Sequence, residues 1–197
     1  MFVYPASMTL QDAFTPLHLE TQRLVLRHFR PADLPTLVAY RNDEEVARYQ
    51  GWSSLSEAQG ADFIARQSVQ AIALPGEWLQ IALELRETGQ HIGDVAFCVD
   101  GSGQATFGYT LSRRYQGRGL MREAVRGLLD YLFGTLELHR ASAALDVRNT
   151  PSKRLLEHLG FRLEGHSREA YWLKGEWTSE YHYALLRREW RAQKSES

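Results

Sequence analysis

Cysteine is almost missing from this chain: Cys98 is the only one in 197 residues. An intrachain disulfide is therefore excluded, and a reducing cytoplasm is the expected compartment. Val95, Ala96, Phe97 and Val99 around Cys98 read as a buried strand, and no histidine lies nearby in sequence to activate the thiol. Cys98 is thus expected as a small core residue rather than a nucleophile. Charge of one sign is missing too. Lysine and arginine number 23 against 24 acidic residues, a net charge of −1, which leaves no global electrostatic footprint for nucleic acid. No apolar run approaches the length of a bilayer span, and the opening residues lack the basic and apolar regions of a signal peptide. The seven histidines show no ligand spacing, so no metal is expected. What remains is an ordinary balance, 44% hydrophobic and 24% charged, long enough for one well-packed domain.

Residues 1–18 show no clean period and hold Pro5 and Pro16, which suggests an N-terminal arm ahead of a domain over residues 19–192 and a polar tail over 193–197. Alternation around Leu24, Leu26 and His28 predicts a first strand. Pro31 opens a helix carrying Leu34, Leu37 and Val38, and Asp43–Tyr49 adds a further helical turn. Ser56 with Gln59 three residues on forms a capping-box pattern for a helix reaching about Ile72. Strands follow over Trp78–Leu85, His91–Val99 and Ala105–Leu111, separated by turn residues in the manner of an antiparallel meander. Gly117–Phe133 is helical, with Leu120, Ala124, Leu128 and Leu132 on one face. A strand over His139–Val147, a short helix over Pro151–Leu159 and a long hairpin over Arg162–Trp172 and Trp177–Leu186 complete a βααβββαβαββ order. This is a mixed α/β fold.

The most informative stretch is Tyr109-Thr-Leu-Ser-Arg-Arg-Tyr-Gln-Gly-Arg-Gly-Leu-Met121, where a strand ends, two glycines stand two apart and a helix begins. A helix N-terminus offers unpaired backbone N–H groups and the positive end of the dipole, so it stabilises an anion. Gly117 and Gly119 permit a sharp turn and a close approach of phosphate to the amides. Arg113, Arg114 and Arg118 add positive charge. On these residues alone a plain Gly-rich turn with solvated arginines fits equally well. A P-loop lysine follows neither glycine, and position 122 is Arg where a dinucleotide fingerprint needs Gly.

Arg114-Tyr-Gln-Gly117-Arg-Gly119 resembles the Arg/Gln-x-x-Gly-x-Gly/Ala signature of the GNAT acetyltransferase superfamily. Asn149-Thr-Pro-Ser152, followed by Leu159-Gly160-Phe161, resembles its second signature. The opening Glu20-Thr-Gln-Arg-Leu-Val-Leu-Arg27 with Asp33, and the closing Leu163-Glu-Gly165 and Gly175-Glu-Trp177, are similar to the branch that acetylates ribosomal-protein N-termini. The resemblance implies a GNAT fold, with a largely antiparallel sheet splayed at the coenzyme site and flanked by helices. It implies acetyl-CoA as donor and a primary amine as acceptor, either a protein N-terminus or a small amine. It assigns main-chain groups of Tyr109 and Leu111 to the pantetheine arm and Arg113, Arg114, and Gln116 to Leu120 (with Gly117, Arg118 and Gly119) to the pyrophosphate. Asn149 would bond across the splay and Ser152 would sit near the thioester.

The sequence departs from that pattern where the chemistry is done. The tyrosine common seven residues after the Asn is Leu156 here, so Ser152 is the substitute that assists thiolate departure. The usual glutamate of the penultimate strand falls at Tyr171 and the usual late aspartate at Ser179. Glu169, two residues from Tyr171 and so on the same face of a strand, is the replacement base, with Tyr171 as its companion. Tyr49, Trp52 and Trp78 are candidates for a substrate groove or for core aromatics. Tyr171, Trp172, Trp177, Tyr181 and Tyr183 alternate along the hairpin as packing or as the surface of a homodimer. Two other readings compete: a polyamine- or aminoglycoside-modifying enzyme using Asp43, Glu44, Glu45 and Glu57 as an acidic groove, and an acyl-CoA-binding module without catalysis.

Overall fold

The computed structural model describes residues 17–69 and 74–195. The arm expected over residues 1–18 lies almost wholly outside the described residues, and His18 already belongs to a strand; of the tail expected over 193–197, residues 193–195 belong to the last helix and 196–197 lie outside the described residues. Among the described residues eight strands form one sheet in the order β1-β2-β3-β4-β5-β6-β8-β7. They are β1 (His18–Glu20), β2 (Leu24–Arg27), β3 (Trp78–Leu85), β4 (His91–Val99), β5 (Gln104–Leu111), β6 (Arg140–Asp146), β7 (Arg162–Leu173) and β8 (Glu176–Leu186). The helices are α1 (Leu34–Arg41), α2 (Glu44–Ala47), α3 (Glu57–Gln67), α4 (Leu120–Asp130), α5 (Thr150–His158) and α6 (Arg187–Ser195).

Alternation along the strands divides the core. Leu79, Ile81, Leu83, Val95, Phe97 and Phe107 face α4, α5 and α6 and join the larger cluster with Leu128, Leu156 and Trp190. On the opposite face Ala82 meets Phe29, Leu37, Tyr40 and Ile64 beneath α1 and α3. Ser56 caps α3 through the expected box with Gln59, and the helix ends at Gln67; Ile72, where its end was expected, lies outside the described residues. Helix α4 begins only after Gly119, and its last turn widens into a π-helical segment over Tyr131–Thr135.

Six of the seven neighbouring strand pairs are antiparallel; β5 and β6 are parallel and pair only at Gln104–Arg140, Ala105–Ala141 and Thr106–Ser142. Beyond Thr106 the two strands part. Ser112 N–H donates to the Ile92 carbonyl and Asp100 N–H to the Gln104 carbonyl. Counting by twos between these bonds, the even residues of β5 turn their backbone groups to β4. Tyr109 and Leu111 therefore turn theirs into the gap left by β6.

Candidate active site

The gap between β5 and β6 opens into a cleft of about 960 Å³. One side is the end of β5 (Tyr109 to Leu111) and the loop through Gln116, Gly117 and Gly119; the other is α5, with Asn149, Ser152 and Leu155. Its far end is lined by Glu45, Val46, Arg48, Tyr49 and Gln50, in α2 and just after it.

The loop is shaped for an anion. Gly117 and Gly119 have φ of 73° and 74°, in the left-handed region that side chains with a Cβ disfavour. A Cβ at Gly117 would meet nothing within 4 Å, so the space before it is open. Gly119 is the N-cap of α4 and supplies no side-chain cap. The first helical bond runs from Glu123 N–H to the Gly119 carbonyl, leaving the amides of Leu120, Met121 and Arg122 without intrahelical partners. These amides and the dipole favour a pyrophosphate at this position.

The arginines of the loop divide their work. Arg113 lines the cleft and its Nε lies 3.1 Å from Asp43 Oδ2, joining the loop to the start of α2. Arg114 and Arg118 instead stack on Tyr115, their guanidinium carbons 4.7 and 5.6 Å from the ring centroid, and do not line the cleft. Gln116 Nε2 donates to the Leu111 carbonyl at 2.9 Å, and Gln50 Nε2 reaches the Tyr109 carbonyl at 3.4 Å.

At α5 the Asn149 side chain caps the helix by accepting from Ser152 N–H at 3.2 Å. The Tyr109 hydroxyl donates to the Ser152 carbonyl at 3.5 Å, and burial pushes that phenol up to about 12. Tyr109 is thus a neutral donor beside Ser152 at neutral pH. Leu156 is fully buried in the core, so the position of the missing tyrosine offers no acid.

Glu169 and Tyr171 do not line the cleft. The pairing of β7 with β8 shifts between Ser167 and Tyr171, and Glu169 has φ of 44° within that bulge. The alternation that was to place Glu169 and Tyr171 on one face is therefore broken, and Glu169 is exposed with its N–H on Ser179 Oγ at 3.0 Å. Tyr171 stands over Gly51, where an added Cβ would lie 2.8 Å from its hydroxyl. Lys174 at the hairpin tip donates to the Ala47 carbonyl at 2.6 Å and ties the hairpin to the end of α2.

Of the other aromatic candidates, Tyr49 lines the cleft, while Trp52 stacks on the Arg41 guanidinium at 3.9 Å and Trp78 is half exposed on β3. Cys98 lies on β4 away from the cleft, and burial pushes its thiol up, which disfavours the thiolate. Sequence reading missed Gln50, Arg122, Arg154 and His158 in the lining; the i,i+4 spacing of Arg154 and His158 was the one local signal that they share a helix face. Among the described residues no group of three His, Cys, Asp or Glu gathers as a metal site, and no helix is long and apolar enough to cross a membrane.

Comparison with known proteins agrees with this geometry. Residues 23–162 match the family described as "Acetyltransferase (GNAT) domain". The chain is 35% identical over 175 residues to the uncharacterized N-acetyltransferase p20 of Bacillus licheniformis, covering 87% of this chain and 97% of that one. It is 34% identical over 93 residues to the ribosomal protein uS5-alanine N-acetyltransferase of Escherichia coli, 47% of this chain and 48% of that one. A crystal structure of a GNAT-family acetyltransferase from Bacillus anthracis superposes with a TM-score of 0.78 at 25% identity, covering 88% of this chain and all of that one. A strand gap leading to an uncapped, glycine-started helix suits a pantetheine arm and its pyrophosphate, and with these matches the chain belongs to the GNAT family as an acetyl-CoA-dependent N-acetyltransferase.

Proposed function

We propose that the chain acetylates the α-amine of a protein or peptide N-terminus, in the cytoplasm, with the pyrophosphate of acetyl-CoA on the Gln116–Leu120 loop and the acceptor entering past Glu45 and Tyr49. The observation that carries the acceptor class is the charge pairing at that end. Asp43 is 3.1 Å from Arg113, Glu45 is 3.7 Å from Arg48, and Asp146 and Glu176 are 2.6 and 2.7 Å from Arg148. A polycation needs several carboxylates at its disposal, and here Asp43, Asp146 and Glu176 are held in close arginine pairs, while Glu45, in a longer solvent-exposed pair, stays available to a single amine. A single neutral α-amine makes no such demand.

In this reading the backbone of Tyr109 and Leu111 binds the pantetheine arm by continuing the strand ladder, and Tyr109 or Leu111 N–H stabilises the developing oxyanion. The amine lone pair attacks the thioester carbon, the carbon–sulfur bond breaks, and the amine proton must leave. Ser152 donates a hydrogen bond to the departing sulfur. Glu45, the carboxylate at the acceptor end of the cleft, takes the proton directly or through water, in place of Glu169 and Tyr171; Tyr171 serves as the wall over Gly51. The catalytic domain, expected over residues 19–192, extends to His18 of β1 and to the end of α6 at Ser195, and the exposed Trp172 and Trp177 of the hairpin are the surface of a homodimer.

Thiol release from acetyl-CoA, measured across peptides with free N-termini and across spermidine, spermine and aminoglycosides, tests the reading. Peptide turnover at least tenfold above every polyamine is the expected result. Preference for a polyamine would replace it, and coenzyme binding with no turnover on any amine would favour the acyl-CoA-binding module.

A further inference from the structure

The segment Glu20-Thr-Gln-Arg23 belongs to the motif that links this chain to ribosomal-protein acetyltransferases, yet none of its residues lines the coenzyme cleft. Its side chains lie behind the loop instead. Glu123 stands in the first turn of α4, on the helix whose free amides face the cleft. A bare carboxylate at that terminus would compete with a pyrophosphate for the same dipole. Thr21 donates its hydroxyl to Glu123 Oε1 at 2.6 Å, Arg23 N–H donates to the same oxygen at 2.6 Å, and Arg23 Nε donates to Oε2 at 2.7 Å. Partial burial works against ionisation, but these bonds hold the Glu123 carboxyl below the usual range, so it stays charged and matched.

Arg23 also reaches past Glu123. Its Nη1 donates to the Arg118 carbonyl at 3.1 Å, and its Nη2 lies 3.6 Å from where a Cβ on Gly119 would stand. In a trans peptide the carbonyl of one residue and the N–H of the next point in opposite directions. Holding the Arg118 carbonyl against Arg23 therefore turns the Gly119 N–H the other way, toward the cleft.

We propose that Thr21 and Arg23 are positioning residues for the pyrophosphate: they neutralise the one carboxylate in the first turn of α4 and fix the peptide plane between Arg118 and Gly119. The inference rests on the assignment of acetyl-CoA to the Gly117–Gly119 loop. It predicts an effect confined to donors that carry the pyrophosphate.

The test compares acetyl-CoA with acetyl-pantetheine, which has the same thioester and no phosphate. Arg23→Gln should raise KM for acetyl-CoA by about tenfold with kcat changed less than twofold, and leave kcat/KM for acetyl-pantetheine unchanged. The double variant R23Q/E123Q, in which both charges are gone, should recover at least half of the lost affinity on a logarithmic scale. Equal losses on both donors, or no recovery in the double variant, would overturn the proposal. If Arg23→Gln is unfolded by circular dichroism, Thr21→Val takes its place, with about a threefold rise in KM expected for acetyl-CoA alone; equal effects on the two donors again overturn it. Gly119→Val separates the layers. If it abolishes acetyl-CoA binding while Arg23→Gln and Thr21→Val do nothing, this proposal fails and the loop assignment stands; if folded Gly119→Val binds normally, the loop assignment itself fails.

Discussion

The Ser152 amide donates to Asn149 Oδ1 at 3.2 Å, so the cap of α5 belongs to Asn149 and leaves the Ser152 hydroxyl outside it. Structure and chemistry at Ser152 can therefore be separated. Ser152→Ala keeps the backbone donor and should leave stability and coenzyme binding nearly unchanged, while kcat falls roughly tenfold to a hundredfold, about 1.4–2.8 kcal/mol. Asn149→Ala should instead cost about 0.5–2 kcal/mol of stability through the lost cap. Steady-state kinetics with thermal melts of both variants check this. A Ser152→Ala enzyme at the wild-type rate would remove Ser152 from the chemistry.

Gly119→Val puts a β-branched side chain at φ of 74°, a conformation that costs an L-residue about 1–2 kcal/mol even in open space. The chain should survive that loss and still fold. Coenzyme affinity should drop by more than a hundredfold, because the altered helix start no longer presents its amides. Calorimetric titration with CoA, paired with circular dichroism, is the measurement. A folded variant with wild-type affinity would contradict the loop assignment.

Glu45 lines the α2 end of the cleft, proposed to receive the acceptor, and carries the proposed base role. Glu45→Gln should lower kcat by about tenfold, less than the roughly 10²–10⁴-fold that general bases typically contribute, because the carboxylate is exposed and water can substitute. KM for acetyl-CoA should hold within twofold. Initial rates at saturating peptide decide it, and an unchanged kcat would assign proton removal to water alone.

Burial depresses two imidazoles, His28 and His91, below their ordinary range. His91 also faces Asp33, 4.0 Å from its Nδ1, and the charges of Asp94 and Arg27 act on it; the two carboxylates favour protonation and the arginine opposes it, but desolvation wins. Below about pH 6.5 the unfolded chain binds protons at these sites that the folded chain refuses. Stability should therefore be full above that pH and fall as the pH drops toward the depressed folded values, by up to about 1.4 kcal/mol per pH unit for each histidine. Urea midpoints at pH 7.5, 6.5 and 5.5 test the sign. A constant or rising midpoint on acidification would refute it.

The parts of the fold with strong local period were legible in the sequence. Trp78–Leu85 and His91–Val99 match their strands residue for residue, and Ser56 with Gln59 forms the expected cap. Helix α6 was missed because Trp190 is its one buried residue, and a single apolar anchor creates no period. Strand β1, three residues long, is too short to alternate visibly. The loop and Asn149 stood out through their resemblance to the two family signatures; glycine spacing alone left a plain turn equally open. The bulge at Glu169 was not, since two extra residues in one strand leave the local pattern of β7 intact and show only against β8. Nor could the sequence pair Arg23 with Glu123, which lie 100 residues apart and meet only through the folded sheet.

The wide spacing of the cleft lining has a further consequence. Its walls come from segments that run from Glu45 to His158, joined across a sheet whose order departs from sequence order at β8. The donor's share of the cleft runs from Tyr109 to Ser152 and faces the Glu45–Gln50 segment, which lies about sixty residues earlier, so the complete cleft exists only when both are brought together by the sheet. Coenzyme should therefore recognise only the completely assembled chain and draw the folding equilibrium toward it by mass action. At a free CoA concentration one hundred times Kd the stabilisation is about 2.7 kcal/mol. For a domain of this size that corresponds to a melting temperature roughly 5–10 °C higher. A melt in which CoA protects only part of the unfolding signal would mean that some portion of the chain folds and unfolds independently of the cleft.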